Sequence, residues 1–338
     1  MLALVCAVMA GVATIVIGVM ATPIGRALGL LDFPDDPGGR KLHARVTPLV
    51  GGLAVTTVTI AAIVATIGFG DDHGATFVRD LSGFGIAVGA MFLIGAADDR
   101  FELSVLARIA VAILVLFLVI GAVPDFTVGF VRFGHHPVLW LLGATAAPFT
   151  VLCLVGLLNA INMADGKNGI VIGMALIWSA FLLVHLPSPM VPVMAAAAAS
   201  LAVLFVFNLR GRLFLGDGGS YALSAMFGLL AIDAYNHDFA AIAADDVALL
   251  FAVPVFDTLR LVASRMAAKR SPFAGGRDHL HHYLHARIGW PRGLYIYMAL
   301  IALPIAAAAA LPGTGTVWLA VTALAYAAVL GWARSKPG

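Results

Sequence analysis

Two adjacent carboxylates stand where one apolar run of the chain ends. Asp98 and Asp99 directly follow the apolar segment Ile94-Gly95-Ala96-Ala97. A pair of this kind can hold a divalent cation or supply a base. An ordinary solvated helix end explains the pair equally well on local grounds, because acidic residues cost little at such a boundary. The pair becomes informative only if other polar motifs lie on the same side of the molecule.

A second polar segment combines amides, a carboxylate and glycines between two apolar runs. It reads Asn159-Ala-Ile-Asn162-Met-Ala-Asp165-Gly166-Lys167-Asn168-Gly169. The spacing of three places the two amides and the carboxylate near one helical face. The glycines would let a ligand approach the backbone closely. Interhelical amide hydrogen bonds with a glycine turn are the structural alternative.

A third segment brackets an aspartate with glycines. It reads Phe214-Leu-Gly216-Asp217-Gly218-Gly219-Ser220 and follows Asn208 and two arginines. Asp217 suits Mg²⁺, because magnesium sites typically use one or two carboxylates together with substrate phosphates. Phe214 could stack on a base. The alternative is a turn in which Asp217 or Ser220 caps the next helix.

Histidines crowd the longest polar stretch of the chain. It reads Ser271-Pro-Phe-Ala-Gly-Gly276-Arg277-Asp278-His279-Leu-His281-His282-Tyr283. Zinc is one interpretation of three histidines, but no cysteine accompanies them, and a phosphate-binding cluster agrees better with magnesium-type carboxylates. Generic surface histidines are the structural alternative. A basic loop near the N-terminus, Arg40-Lys41-Leu-His-Ala-Arg45-Val-Thr47-Pro48 followed by Gly51-Gly52, completes the set of motifs.

The elements that must position these motifs are membrane helices. Of the 338 residues, 62% are hydrophobic and 11% are charged, and the mean hydropathy is +1.01. Soluble domains have only about 45–50% apolar residues, and several runs here reach the ~20 residues needed to cross a bilayer. We predict an all-α polytopic bundle of about eleven helices, at 2–21, 49–69, 81–97, 104–123, 138–162, 169–187, 190–207, 220–235, 246–265, 295–311 and 317–333.

The distribution of positive charge orients this bundle. Of 20 lysines and arginines, all but Arg79 and Arg132 fall on one set of alternate loops and the adjoining helix ends. Because cytoplasmic loops carry the excess of positive charge, the N-terminus is predicted outside and the C-terminus in the cytoplasm. Every dense polar motif then lies on the cytoplasmic side of a single domain spanning residues 1–338. The cytoplasmic loops are predicted at 22–48, 98–103, 163–168, 208–219 and 266–294.

Together the five motifs resemble those of the polyprenyl-phosphate N-acetylhexosamine-1-phosphate transferase superfamily, of the glycosyltransferase family 4 type. They occur in the family's order. The His279-Leu-His281-His282 pattern and the eleven-helix layout resemble the branch that takes a simple UDP-N-acetylhexosamine and starts O-antigen- or teichoic-acid-like glycans. The peptidoglycan branch, which takes UDP-MurNAc-pentapeptide and typically shows three consecutive histidines, is the alternative. The chain departs from the family pattern at Lys167, commonly apolar, and at Asn168, commonly Asp.

The resemblance implies transfer of a sugar-1-phosphate, most plainly GlcNAc-1-phosphate, from a UDP-sugar to undecaprenyl phosphate in the bacterial cytoplasmic membrane, with release of UMP. The implied cofactor is Mg²⁺, with Mn²⁺ as a substitute; no nucleic-acid partner is implied, and a homodimer is allowed. Asp217 is expected to be the principal metal ligand. Asp98 or Asp99 would support the metal, and the other would orient or deprotonate the lipid phosphate.

The resemblance also implies two further groups of site residues. Those expected to bind phosphates as donors are Lys41, Arg277, His279, His281 and His282. Those expected to contact the uridine, the sugar or another part of the substrates are Thr47, Asn159, Asn162, Asp165, Asn168, Asn208 and Phe214.

Three other classes of membrane protein compete with this interpretation. A transporter would place polar residues at the bilayer midplane, within reach of both sides. Asp257, inside a predicted helix, fits a transporter best, but it lies toward the inner end and could equally support the active site. A membrane phosphotransferase of the CDP-alcohol type would group its acidic residues on neighbouring helical turns. A structural protein would tolerate Asp217→Asn without biochemical consequence.

Overall fold

The computed structural model describes residues 1–34, 45–70, 74–134, 136–271 and 276–335. Over these ranges the chain forms thirteen α-helices and two small antiparallel ribbons, so the predicted all-α fold class is confirmed. The helices are α1 (Leu2–Val19), α2 (Ala21–Leu28), α3 (Gly51–Phe69), α4 (Ala75–Phe101), α5 (Val105–Ala122), α6 (Ala146–Ala164), α7 (Ile170–His185), α8 (Val191–Leu209), α9 (Gly216–His237), α10 (Ala244–Ala267), α11 (Leu280–Ile288), α12 (Arg292–Ala310) and α13 (Gly315–Arg334). The ribbon strands are β1 (Leu31–Asp32), β2 (Thr47–Pro48), β3 (Phe130–Val131) and β4 (Trp140–Leu141).

The chain is a multi-pass membrane protein. Within the described ranges, nine helices are long and apolar enough to cross a bilayer. They are α1, α3, α4, α5, α6, α8, α10, α12 and α13. Helix α7 is apolar but has 16 residues, about 24 Å at the ~1.5 Å rise of an α-helix. Helix α9 is different, because every residue from Gly216 to Tyr235 except Asp217 is buried.

The described residues divide into two compact units. The first comprises residues 1–123 and 187–226, and the second comprises 124–186 and 227–338, so α9 contributes its beginning to one and its end to the other. In the first unit, small side chains let helices approach, as expected where lipid supplies no hydrophobic drive. Thr14 of α1 donates a hydrogen bond to Ser200 of α8 at 2.8 Å, and Gly18 makes room for the ring of Phe207.

An aromatic core organises the second unit. Trp178 of α7 packs edge-on against Phe227, with ring centroids 5.3 Å apart, and against Phe251, at 5.0 Å. Its indole N–H donates to the carbonyl of Leu250 at 2.6 Å, which satisfies the one polar atom that this large side chain would otherwise bury unpaired. Helices α7, α9 and α10 are thereby joined through one side chain.

Each of the eleven predicted helices has a counterpart, but several boundaries differ. Helix α4 continues through Phe101, so Asp98 and Asp99 lie in its last turn and not in a loop at 98–103. Helix α6 begins at Ala146 and not at residue 138, because Trp140 and Leu141 pair with β3 as a strand. Two short helices, α2 and α11, occupy parts of the predicted loops at 22–48 and 266–294. The orientation of the termini and the single continuous domain stay predictions.

Candidate active site

The first polar cluster lies in the first unit, where α4 ends and α5 and α9 begin. Asp98 is in the last turn of α4 and is buried, with 6% of its surface exposed. Asp217 is in the first turn of α9. Arg108 of α5 lies between the two carboxylates: its Nη1 donates to Oδ2 of Asp98 and is 3.9 Å from Oδ2 of Asp217. The two carboxylates therefore converge on one positive charge.

Asp99, although adjacent in sequence, has different contacts. Its Oδ1 accepts a hydrogen bond from the backbone N–H of Asp217 at 2.9 Å, and its Oδ2 accepts one from Gly218 at 3.0 Å. These amides belong to the first turn of α9, where N–H groups have no partner within the helix. Asp99 thus caps α9 from another helix, whereas the sequence suggested that Asp217 or Ser220 might do so. The Ser220 hydroxyl donates to the carbonyl of Gly216 instead, at 3.1 Å.

Glycines bring the start of α9 against α3 and α4. A Cβ added at Gly52 would overlap the backbone of Gly219, and one added at Gly95 would overlap the carbonyl of Asp217. The amides of Gly51 and Gly52 donate to the carbonyls of Phe214 and Leu215, at 3.0 and 2.9 Å. The glycine pair that follows the basic loop therefore serves to hold the aspartate motif close to the neighbouring helices.

Three more predicted residues can be located in this unit, and a fourth cannot. Asn208, buried at the end of α8, donates from its amide to the carbonyl of Leu213 at 3.2 Å and so braces the loop that leads to α9. Thr47, buried in β2, donates to the carbonyl of Arg45 at 3.1 Å. Phe214 is half-buried. Lys41 lies outside the described residues.

The donor set of the first cluster fits Mg²⁺. No group of three or more His, Cys, Asp and Glu side chains that could hold a metal occurs in the ranges that the structure describes. Magnesium needs fewer protein ligands, since it keeps waters and binds substrate phosphates. Asp98 and Asp217 already direct oxygens at a single cationic nitrogen. They are the residues that would hold the ion, and Asp99, with both oxygens on backbone amides, is not.

The second polar cluster lies in the second unit around the start of α11. The rings of His279 and His281 are stacked, with centroids 5.3 Å apart and planes 11° apart, and His282 lies 4.2 Å from His281. Gly166, in the turn after α6, packs so closely against His281 that a Cβ there would overlap the ring. The structure therefore joins the amide motif of residues 159–169 to the histidine motif.

Burial and the neighbouring positive charges lower the pKa values of several side chains in this cluster. Burial, with the positive charges of His279, Lys167 and Arg277, lowers the pKa of His282 to about 4. Burial and the neighbouring histidines hold the pKa of His281 well below its ordinary value. Burial and the charge of Arg277 lower the pKa of Lys167. Near neutral pH, His281 and His282 are consequently neutral hydrogen-bonding groups, and an anion beside them would offset the repulsion between Lys167 and Arg277.

The remaining amide-motif residues lie around the turn between α6 and α7. Asn159, Asn162 and Asp165 are all half-buried at the end of α6. The amide of Asn159 donates to the carbonyl of Val155 in its own helix, at 2.8 Å. The backbone carbonyl of Asn168 accepts from the indole N–H of Trp290, at 3.0 Å. Gly169 adopts a φ of +89°, which a residue with a side chain rarely adopts.

Three residues with contacts to the motifs were not predicted as site residues. Arg108 was counted only as one of the loop charges, and Lys167 as a loop charge and a departure from a family pattern. Asp257 was considered as a polar residue that fits a transporter best but could equally support the active site. Each meets its partners through tertiary contacts between separate helices or turns. The one signal for Asp257 was its position inside an apolar run, where an ionisable residue usually has a functional or pairing role.

Comparison with known proteins shows which families and proteins this chain is similar to. Residues 81–235 match the family described as Glycosyl transferase family 4. That range contains the aspartate pair of α4, the amide motif and the Asp217 motif. Over this range the chain is similar to glycosyl transferase family 4. The basic loop and the histidine motif lie outside the matched range, so they are covered by the comparison with whole relatives.

Several curated relatives align with most of the length of this chain. A Bacillus subtilis (strain 168) protein named probable undecaprenyl-phosphate N-acetylglucosaminyl 1-phosphate transferase is 27% identical over 93% of this chain and 87% of its own. The undecaprenyl-phosphate alpha-N-acetylglucosaminyl 1-phosphate transferase of Salmonella typhi is 28% identical over 88% of this chain and 78% of its own. That of Thermotoga maritima is 27% identical over 79% and 78%.

Proposed function

We propose that this chain transfers N-acetylglucosamine 1-phosphate from a UDP-sugar to undecaprenyl phosphate, giving undecaprenyl-diphosphate-sugar and UMP. The observation that carries the proposal is the convergence of Asp98 and Asp217 on one guanidinium group, in a chain whose relatives are named for this transfer. Those names favour neither the peptidoglycan alternative nor a transporter.

The reaction is a displacement at phosphorus. An oxygen of the lipid phosphate attacks the phosphorus that bears the sugar, the bond from that phosphorus to the bridging oxygen breaks, and UMP leaves with the bridging oxygen. A phosphate monoester has a second pKa near 6, so the attacking group is already mostly a dianion at neutral pH. The chain therefore has to hold and orient charged groups in line more than it has to remove a proton.

Each cluster, taken by itself, contains groups that suit the binding of charged phosphates. When bound, Mg²⁺ would neutralise the pyrophosphate oxygens and help to orient them, and Asp98 and Asp217 would hold it. Arg108 donates a hydrogen bond to Asp98 and holds its side chain in place. In the second unit, Arg277 and Lys167 bind phosphate oxygens as cations, while His281 and His282 donate hydrogen bonds from neutral rings.

The substrate contacts follow from where the candidate residues lie. Asn162, Asp165 and Asn168 surround the turn beside the histidine motif and remain candidates for the uridine and sugar, together with Asn159 and Phe214. Asn208 and Thr47 are assigned to bracing the chain, because their side chains donate to nearby backbone carbonyls. Lys41 remains a candidate phosphate ligand from the sequence alone.

The cellular setting is part of the proposal. The excess of lysine and arginine on alternate loops supports a cytoplasmic membrane location with the motifs facing the cytoplasm, where UDP-sugars are made. A homodimer stays a prediction.

The identity of the UDP-sugar that the protein uses is tested with purified protein in detergent, undecaprenyl phosphate and Mg²⁺. UDP-GlcNAc, UDP-GalNAc and UDP-MurNAc-pentapeptide are supplied separately, and UMP and the lipid product are identified by mass spectrometry. We expect lipid-dependent UMP release with UDP-GlcNAc above the other two donors. Preferential use of UDP-MurNAc-pentapeptide would reinstate the peptidoglycan alternative, and release from none of them by folded protein would overturn the proposal.

A further inference from the structure

Asp257 of α10 is a buried carboxylate that the proposed reaction leaves without a role. It has 3% of its surface exposed. Its Oδ2 lies 2.9 Å from Nδ1 of His279, the residue that precedes α11. Its Oδ1 accepts hydrogen bonds from the hydroxyl of Tyr326, at 2.7 Å, and from Nη2 of Arg260, at 2.8 Å. Helices α10, α11 and α13 therefore meet at this one side chain.

We propose that Asp257 is a positioning residue, which fixes the tautomer and orientation of His279 so that Nε2 is the ring atom left for a substrate phosphate, to which it donates when the ring is protonated. This inference rests on the proposed function for the identity of the substrate. The contacts on which it depends all lie within the second unit, and none involves the acidic cluster of Asp98 and Asp217.

The tautomer follows from the other donors around the carboxylate. Tyr326 and Arg260 donate to Asp257, and so does the backbone N–H of Leu280, at 3.2 and 3.3 Å to its two oxygens. A carboxylate held by an arginine is ionised and can only accept. Nδ1 of His279 must therefore carry a hydrogen, which leaves Nε2 as an acceptor in the neutral ring and a donor in the imidazolium.

Asp257 fixes the backbone as well as the ring. The N–H of Leu280 is the first amide of α11 and has no partner within that helix. By accepting from it, Asp257 caps the helix that carries His281 and His282. The arrangement parallels Asp99, which caps α9 beside Asp217. A capping role alone, however, would not depend on which nitrogen of His279 carries the hydrogen.

A second aspartate–histidine pair in the same unit provides a matched control. His185 Nδ1 and Asp238 Oδ2 are also 2.9 Å apart, but the side chains of His185 and Asp238 are 19% and 40% exposed. The corresponding values for His279 and Asp257 are 9% and 4%. The two pairs thus share their geometry and differ in burial and in the motif to which they belong.

The kinetic test compares Asp257→Asn with Asp238→Asn in the full-length protein in detergent. An asparagine would present an amide N–H to Nδ1 of His279 and force the hydrogen onto Nε2. For Asp257→Asn we expect kcat to fall about 10- to 100-fold with KM for the UDP-sugar within about threefold, as for other residues that orient a functional histidine. Asp238→Asn should leave both constants unchanged. Unchanged kcat in Asp257→Asn would overturn the proposal.

Two further variants separate positioning from stability. If Asp257 acts through His279, adding Asp257→Asn to His279→Gln should reduce kcat no further, because two residues in one chain of contacts are not additive. Additive losses would contradict the inference. Tyr326→Phe removes one donor to Asp257 and keeps the His279 pair, so it should lower thermal stability while kcat stays within about threefold of the unmodified protein.

A direct reading of the tautomer does not depend on turnover. In protein labelled with ¹⁵N-histidine, the His279 signal is assigned by its loss in His279→Gln. We expect a ring protonated at Nδ1 in the unmodified protein and a shift to Nε2 in Asp257→Asn. The same tautomer in both would overturn the inference. If no UDP-sugar yields UMP, the proposed function fails, and this spectrum still decides the role of Asp257.

Discussion

At the scale of residues, the adjacent pair Asp98 and Asp99 divides into two roles. Successive side chains on a helix point about 100° apart, so one carboxylate meets Arg108 and the other meets the backbone of α9. The sequence shows two equivalent acidic residues beside a glycine-rich motif elsewhere. Only the packing of α4 against α9 distinguishes them, which is why the pair could be predicted as a site but not divided into roles.

Replacing Asp99 should lower stability through the lost cap. Asp99→Ala leaves the first amides of α9 without their partner, and a lost charged acceptor of this kind costs about 1–3 kcal/mol. We expect a lower thermal unfolding midpoint in detergent and reduced turnover, since Asp217 is in the turn that loosens. The control is Glu102→Gln, an exposed residue just after α4. Unchanged stability together with lost turnover would instead make Asp99 a metal ligand or a base.

Lys167 tests the basic cluster at a single side chain. Its charge helps to lower the pKa of His282, so Lys167→Met should raise that pKa from about 4 towards the ordinary value of 6.5, measurable by NMR titration. The same change removes a cation beside the histidines and should raise KM for the UDP-sugar about 3- to 10-fold, equivalent to ~1 kcal/mol. Lys269→Met, at an exposed lysine after α10, is the control. An unchanged KM would remove Lys167 from the proposed phosphate site.

At the scale of elements, apolar runs predicted the long helices well because a bilayer demands about 20 apolar residues per span. Helices α2 and α11, with 8 and 9 residues, were missed because they are short and carry polar residues. Their existence depends on caps and tertiary contacts, such as the Asp257 carboxylate at the start of α11. Prediction therefore succeeded for the long apolar helices and failed for the two short helices, which depend on caps and tertiary contacts.

Close helix packing should be essential at Gly95 and dispensable at Gly89, two glycines of α4. A Cβ at Gly95 would overlap the carbonyl of Asp217, whereas one at Gly89 would lie 3.6 Å from Ile60 Cδ1, an ordinary contact. We expect Gly95→Ala to lose about 1–3 kcal/mol of stability, typical of overpacking, and at least ~10-fold in turnover as Asp217 shifts. Gly89→Ala should keep the stability and the turnover of the unmodified protein. Equal effects of the two variants, measured by thermal unfolding and UMP release, would contradict this account of the first cluster.

At the scale of the whole molecule, the sequence predicts where each loop lies relative to the membrane. Cys6 and Cys153 are the natural cysteines, and a variant without them allows single cysteines to be added at Gly74 and Ser335. The positive-inside asymmetry predicts that an impermeant maleimide labels Gly74→Cys in intact cells and labels Ser335→Cys only after lysis. Labelling of Ser335→Cys in intact cells would invert the orientation and place the motifs on the outer side.

We expect Asp217 to serve metal-assisted transfer to a lipid phosphate, and one measurement tests this role directly. UMP release from UDP-GlcNAc is followed against Mg²⁺ concentration for the unmodified protein, for Asp217→Asn and for the neighbouring acidic control Glu102→Gln. Loss of a charged metal ligand should cost at least ~100-fold in kcat. We therefore predict lipid- and Mg²⁺-dependent release in the unmodified protein and in Glu102→Gln, and a loss of that size in Asp217→Asn. Full activity of Asp217→Asn with unchanged Mg²⁺ dependence would contradict the account.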